Sequence, residues 1–181
     1  VQTCALPICR YPEACLVWFD AHADSNTPET SITGYLGGLV LTGAAGMWET
    51  GLGADLKLAN VVLVGARDID PAEAALIANG TLRLVPPGPN LAADLRAAIG
   101  GRSVYVHLDC DVLEPGIVPT EFRVPGGLSL DDLRGAAQVL AGHSVVGLEI
   151  AEFEGSWSDT GTAAAPGPLL DAIAPLLDAL P

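Results

Sequence analysis

The sequence predicts an α/β protein, a three-layer α/β/α arrangement on a mainly parallel sheet. Short runs rich in Val, Leu and Ile alternate with helix-like segments that open at cap residues and stop at glycine. Most of these runs are near-continuous rather than alternating, which is the pattern of strands covered on both faces. Acidic residues recur just beyond them, where open parallel sheets bind their ligands.

The predicted strands are Leu16–Asp20, Asn60–Ala66, Thr81–Val85, Ser103–Asp111 and Ser144–Phe153. Between them, Pro71–Asn79 has proline in its first turn and ends at Gly80. Asn90–Ile99 starts from an Asn cap and ends at Gly100-Gly101, and Ser129–Ala141 opens with Ser129, Asp131 and Asp132 and stops at Gly142. Ala165–Leu180 is helix-like but interrupted by Pro166, Pro168 and Pro175. Strand and helix in repeated alternation give a parallel sheet with helices on both faces. The longest apolar stretch, Ser31 to Trp48, carries Gly34, Gly37, Gly38, Gly43 and Gly46. It reads as a buried glycine-rich loop and helix rather than a membrane span.

The chain has 181 residues, enough for one domain with a core, and half are hydrophobic, which argues against disorder. Residues 1–8 read as a non-native leader, and residues 9–181 as a single partial domain whose N-terminal strands are expected to be missing. The net charge of −14, from 22 acidic and 8 basic residues, argues against nucleic acid or an anionic membrane as partner. It suits metal cations and a cationic substrate. Of the four cysteines, Cys4, Cys9, Cys15 and Cys110, the last two lie in strand-like contexts as buried thiols. The pattern is no disulfide framework, so a cytoplasmic location is expected.

Two acidic clusters carry the chemistry. Asp20-Ala21-His22-Ala23-Asp24 follows the run Leu16–Phe19, and Asp109-Cys110-Asp111 follows Val104–Leu108. Alternate residues of an extended chain share a side, so Asp20, His22 and Asp24 converge if extended geometry persists, as do Asp109 and Asp111. Carboxylates with an imidazole suit Mn²⁺ or a similar divalent ion better than thiolate-rich zinc sets do. Glu152, Asp68 and Asp70 also fall near strand ends, and so many acids on one rim call for a cation.

These residues resemble the ureohydrolase family of arginases, agmatinases and formimidoylglutamases. Asp20–Asp24 is similar to its Asp-Ala-His-x-Asp motif, with Ser25-Asn26-Thr27-Pro28 following. His107–Pro115 resembles its second metal motif, with Glu114 in place of the usual Asp. Gly147–Glu152 resembles the segment that holds the guanidinium, and Gly65–Glu73 a stretch that contacts the substrate's α-amino group. The resemblance implies an arginase-like fold, and an enzyme that releases urea from a small cationic guanidino substrate through a Mn-bridging hydroxide. Asp20 and Asp109 would bridge two Mn²⁺ ions, His22 and Asp111 would bind one and Asp24 the other. Asp24 would also pass a proton to the leaving amine, and Glu152 would pair with the guanidinium. Asn26, Thr33 and Asp70 sit where relatives read the substrate's α-carboxylate and α-amino groups. Trimers or hexamers are common in the family, so a homo-oligomer is expected of a full-length chain.

The family's Gly-Gly-Asp-His motif, which supplies one further metal ligand, has no counterpart in this sequence, so one of the two ions is expected to be held less firmly. Gly37 stands where arginases carry a histidine thought to shuttle protons, which casts doubt on arginine itself as the substrate. His107, on the same strand side as Asp109, reads as a hydrogen-bonded residue near the metal or in the core rather than a ligand. His143 reads as exposed, Trp157 as packing or pocket lining, Asp131 and Asp132 as helix-end charges, and Arg67 as pairing locally with the Asp68–Asp70 loop. The competing functions are a non-catalytic metal-binding member of the fold and a deacetylase of the same fold, although the latter's tandem histidines are not found. A sugar-nucleotide transferase would leave Asp20–Asp24 unexplained.

Overall fold

The computed structural model describes residues 10–51 and 56–181. The expected leader over residues 1–8, and Cys4 and Cys9, lie outside the described residues. Five parallel strands form one sheet in the order β3-β2-β1-β4-β5: β1 Cys15–Phe19, β2 Val61–Val64, β3 Arg83–Val85, β4 Val104–Asp109 and β5 Val145–Ala151. The helices are α1 Val40–Ala44, α2 Pro71–Ala78, α3 Leu91–Ile99, α4 Leu130–Ala141 and α5 Gly167–Leu177.

Side-chain alternation along the strands separates two apolar layers. Cys15, Val17 and Phe19 of β1, with Val62, Val64, Val106 and Leu108, face the side covered by α3, α4 and α5. Leu16, Trp18, Leu63 and Tyr105 face the other side, packed with Val40 and Leu41 of α1 and Leu76 and Ile77 of α2. Both faces of β1 and β2 are buried throughout, as their apolar runs predict. Strand β5 departs from that expectation: it is an edge strand, most of its residues are half-buried, and Ile150 is 40% exposed.

Helix caps follow the sequence signals in position, although Asn90 makes no side-chain cap hydrogen bond. Ser129 Oγ accepts from Asp132 N, and Asp132 Oδ2 accepts in return from Ser129 N, so Asp132 is a capping residue, as its first-turn position indicates. The predicted interruption of the last helix is corrected. Pro166 and Pro168 fall at its start, where the missing N–H costs nothing, and the helix continues through Pro175. Proline at 175 removes the bond that would reach the Asp171 carbonyl, and Arg134 Nη1 donates to that oxygen instead at 3.0 Å. The expectation of a buried Ser31–Trp48 loop holds only for its middle, and Met47 near its end is exposed again. Ile32, Tyr35 and Leu36 are exposed, while Leu39, Val40 and Leu41 are buried. No helix among the described residues is long and apolar enough to cross a membrane.

The topology places the site. From β1 the chain fills the sheet outward through β2 and β3, then returns to add β4 and β5 on the opposite side of β1. The order therefore reverses between β1 and β4, and a crevice opens beyond the carboxyl ends of strands at such a point. Asp20 directly follows β1, and Asp109 ends β4.

Candidate metal and substrate site

Asp20, His22, Asp24, Asp109, Asp111 and Glu152 line a single cleft of about 260 Å³ at this crevice, together with His107 and Glu149. The convergence expected of the two clusters is present, but the backbone achieves it differently. Strand β1 ends at Phe19, and Asp24 adopts a left-handed φ of 47°. Strand β4 ends at Asp109, and Asp111 lies in the 3₁₀ turn Cys110–Val112. Glu152, just past β5, is also left-handed with φ 57°. Non-glycine residues adopt this region rarely and at some cost, so tertiary contacts must hold both carboxylates there.

Backbone amides aim the acids. Asp20 Oδ1 accepts from His22 N at 2.7 Å, Asp111 Oδ1 from Ala21 N at 3.0 Å, and Asp109 Oδ1 from Asp111 N at 2.9 Å. Trp18 Nε1 donates to Asp20 Oδ2 at 3.2 Å. His22 Nδ1 sits between Asp20 Oδ1 at 3.0 Å and Asp111 Oδ2 at 3.1 Å.

Electrostatics show what the donors lack. Among the described residues, no Lys or Arg lines the cleft. Burial, then the neighbouring Asp20 and Asp111 charges, push Asp109 up to about 9. Burial and the Asp20 carboxylate also push Asp24 well above the usual carboxylate range. Burial works the same way on Asp111, but hydrogen bonds from His22 and Ala21 outweigh it and hold Asp111 low. Those same contacts with Asp111 and Asp20 raise His22 to about 11. Protons are thus needed to neutralise the cluster, and a divalent cation is the alternative the donor set fits. Among the described residues, two groups have ligand atoms within 4.8 Å of one another: Asp20, His22 and Asp111, and Asp20, His107 and Asp109. Asp20 belongs to both, and Asp24 to neither.

The residues expected to read the substrate's far end occupy an adjoining cleft of about 440 Å³, lined by Asn26, Thr33 and Asp70 and shared with His22, Asp24, Tyr35 and Phe122. Asn26 Nδ2 donates to Asp70 Oδ2 at 2.9 Å. Glu73 fixes both loops, accepting from Ser25 N at 2.8 Å and Asp70 N at 2.9 Å.

Two features escaped the sequence reading. Arg67 reaches well beyond its own loop. Its guanidinium fans across backbone carbonyls of Gly65, Asp111, Val112 and Val124, which ties the β2 loop to the β4 loop. Phe122 meets His22 edge-on at 5.3 Å and lines both clefts. Neither contact has a local sequence signal, because each joins residues far apart in the chain. Glu114 accepts from Gly126 N and Gly127 N, both at 2.7 Å, a role its longer side chain fits. His143 is half-buried rather than exposed, its Nδ1 3.2 Å from Arg102 O. Trp157 lines neither cleft.

The sequence profile of the arginase family matches residues 3–167. The chain belongs to the arginase family. It is 39% identical over 181 residues to the N(omega)-hydroxy-L-arginine amidinohydrolase of Streptomyces lavendulae, covering 99% of this chain and 66% of that protein. It is 29% identical over 167 residues to the arginase of Glaciozyma antarctica, covering 81% of this chain and 48% of that one. In structure it superposes on the arginase of Bacillus subtilis with a TM-score of 0.81 at 22% identity, over 97% of this chain and 68% of that one. The Entamoeba histolytica arginase gives 0.78 at 24% identity, over 96% and 64%. The chain thus spans between about half and two thirds of the length of these curated relatives. The three-layer arginase fold and the ureohydrolase family read from the motifs are borne out.

Proposed function

We propose that the protein is a metal-dependent hydrolase of linear C–N bonds in guanidino or amidino compounds, releasing an amine together with urea or a substituted urea from a guanidino group, or an amide from an amidino group. One observation carries the reading: in an arginase-family chain, Asp20, His22, Asp24, Asp109, Asp111 and Glu152 meet in one acidic cleft. Asp20, Asp109, His22, Asp111 and Asp24 would hold two Mn²⁺ or similar divalent ions, which supply the Lewis acidity that makes water nucleophilic at neutral pH.

The chain's own residues do the rest. Glu152, held at the mouth by its left-handed backbone, pairs its two oxygens with the planar guanidinium and orients the central carbon. Asp24 accepts a proton from the attacking water and gives it to the departing amine, which would otherwise leave as a poor, strongly basic anion. Phe122 and Tyr35 line both clefts and offer apolar ring surface beside the substrate. Asn26, Thr33 and Asp70, in the adjoining cleft, bind the polar end of an amino-acid-like substrate. The strong acidity of the cleft draws in a cation.

The relative from Streptomyces lavendulae supports an N-hydroxylated guanidino group as the first substrate to try. At Gly37 the ring of Tyr35 occupies the space a side chain would need, so no side chain acts from that position. Amine release from a panel of guanidino compounds with Mn²⁺ tests the reading. Equilibrium dialysis tests its foundation: Asp20→Ala and Asp109→Ala should each abolish Mn²⁺ binding, and wild-type metal content in either would sink the proposed site.

A further inference from the structure

We propose that His107 is a direct metal ligand, binding through Nε2 the ion that Asp20 and Asp109 share. The inference rests on the reading of the cleft as a divalent-metal centre and assigns that centre a nitrogen donor the sequence motifs do not provide. One ring nitrogen of His107 lies within 4.8 Å of carboxylate oxygens of both Asp20 and Asp109, in a group separate from the one built on His22. His107 is 7% exposed, and it lines the cleft. Among the described residues, Nδ1 has a hydrogen-bond partner, Glu149 Oε1 at 2.6 Å, while no bond to Nε2 is present.

The setting is that of a ligand rather than a packed ring. Trp18, His107 and Glu149 stand in register on β1, β4 and β5, one turn of the pleat below the acids. The imidazole lies flat on the Trp18 indole, with ring centres 3.5 Å apart and planes at 11°. Trp18 is in turn tied to Asp20. The ring's orientation is therefore fixed from one side by stacking and from the other by a carboxylate. A carboxylate that accepts Nδ1–H leaves the Nε2 lone pair free and makes it more basic, which is the arrangement found behind metal-bound histidines. With it, each ion has one imidazole: His22 beside Asp20 and Asp111, His107 beside Asp20 and Asp109.

The test uses the chain labelled with ¹⁵N-histidine and loaded with Zn²⁺ as a diamagnetic probe. The chain holds three histidines, and His143, bonded to Arg102 O before β4, is the internal control. The expected result is that His22 and His107 both shift to the ¹⁵N position of a metal-bound nitrogen, His107 at Nε2, while His143 does not move. In parallel, dialysis against Mn²⁺ should show His107→Phe, which keeps a ring on Trp18, losing at least about tenfold in affinity for one ion and none for the other, since even outer hydrogen-bond partners of ligands cost about 10–100-fold. Glu149→Gln should weaken the same ion. A shift at His22 with His107 unmoved overturns the proposal and leaves the metal centre standing. No shift at either histidine, with no Mn²⁺ retained, overturns both.

Discussion

The guanidinium of Arg67, on the loop after β2, donates to the backbone carbonyl of Asp111, on the turn after β4, at 3.1 Å. The same group reaches Val112 O at 3.2 Å and Gly65 O at 3.0 Å. A half-buried cation thus fixes the backbone of a metal-ligand candidate from behind, without entering the cleft. Burial lowers its pKa below the usual arginine value, and Asp111 and Glu114 oppose that shift.

Arg67→Ala should therefore cost stability and metal affinity together. Several buried carbonyls lose a charged donor, a loss on the order of 2–3 kcal/mol. Arg67→Lys should recover less than half, because a single ammonium cannot span the fan of acceptors. Urea unfolding and Mn²⁺ dialysis on the two variants check this. Wild-type stability in Arg67→Ala would show that the clamp is idle.

Glu152→Gln should leave Mn²⁺ content unchanged and abolish turnover. Glutamine keeps the shape but removes the charge that pairs with the guanidinium, and at least two orders of magnitude in kcat/KM should go, about 3 kcal/mol of binding and orientation. Steady-state kinetics beside metal analysis separates the outcomes; unchanged kinetics would remove Glu152 from the site.

Much of this was legible in the sequence, for identifiable reasons. The near-continuous apolar runs of β1, β2 and β4 predict buried parallel strands, and all five predicted strands are present within a few residues of their expected bounds. Both acidic clusters meet where predicted, because strand ends and topology fix Asp20 and Asp109. What could not be read is how the chain turns after each strand. Extended geometry at Asp24 and Asp111 was the natural expectation, and a left-handed residue and a 3₁₀ turn replace it. Both depend on contacts with distant segments. The same holds for Arg67, most of whose partners lie 44–58 residues away, and for the continuation of α5 through Pro175, where Arg134 donates to the Asp171 carbonyl.

Gly127 offers a test of how tightly the β4 loop is packed. A Cβ there would lie 2.5 Å from the Leu113 carbonyl and 2.6 Å from Glu114 N, both backbone atoms that cannot swing away. Gly127→Ala should destabilise the protein by about 3 kcal/mol, the upper end of overpacking costs, and should loosen the Leu113–Leu128 bridge. Hydrogen exchange at Leu128 N and Glu114 N, whose partners are Val112 O and Leu128 O, reads that loosening directly.

Cys15 and Cys110 should be inert to alkylation in the folded protein. Both are buried, and burial pushes the Cys15 thiol up to about 11 against the pull of Arg102 and Arg83. At pH 8 neither the thiolate nor a path to it is available. Peptide mapping after iodoacetamide should find both unmodified until guanidinium is added. The linkage has a definite sign. An unfolded chain gives up the Cys15 proton near 9.0 while the folded chain keeps it to about 11, so this contribution to stability is full below pH 9 and falls as pH climbs through that interval.

The central claim is tested most directly by amine release from the Mn²⁺-loaded chain, measured across arginine, N-hydroxyarginine, agmatine, guanidinobutyrate and formimidoylglutamate. The account predicts that one guanidino compound yields its amine together with urea or hydroxyurea, in proportion to bound Mn²⁺. A chain that binds two Mn²⁺ ions and turns over none of these compounds would contradict it.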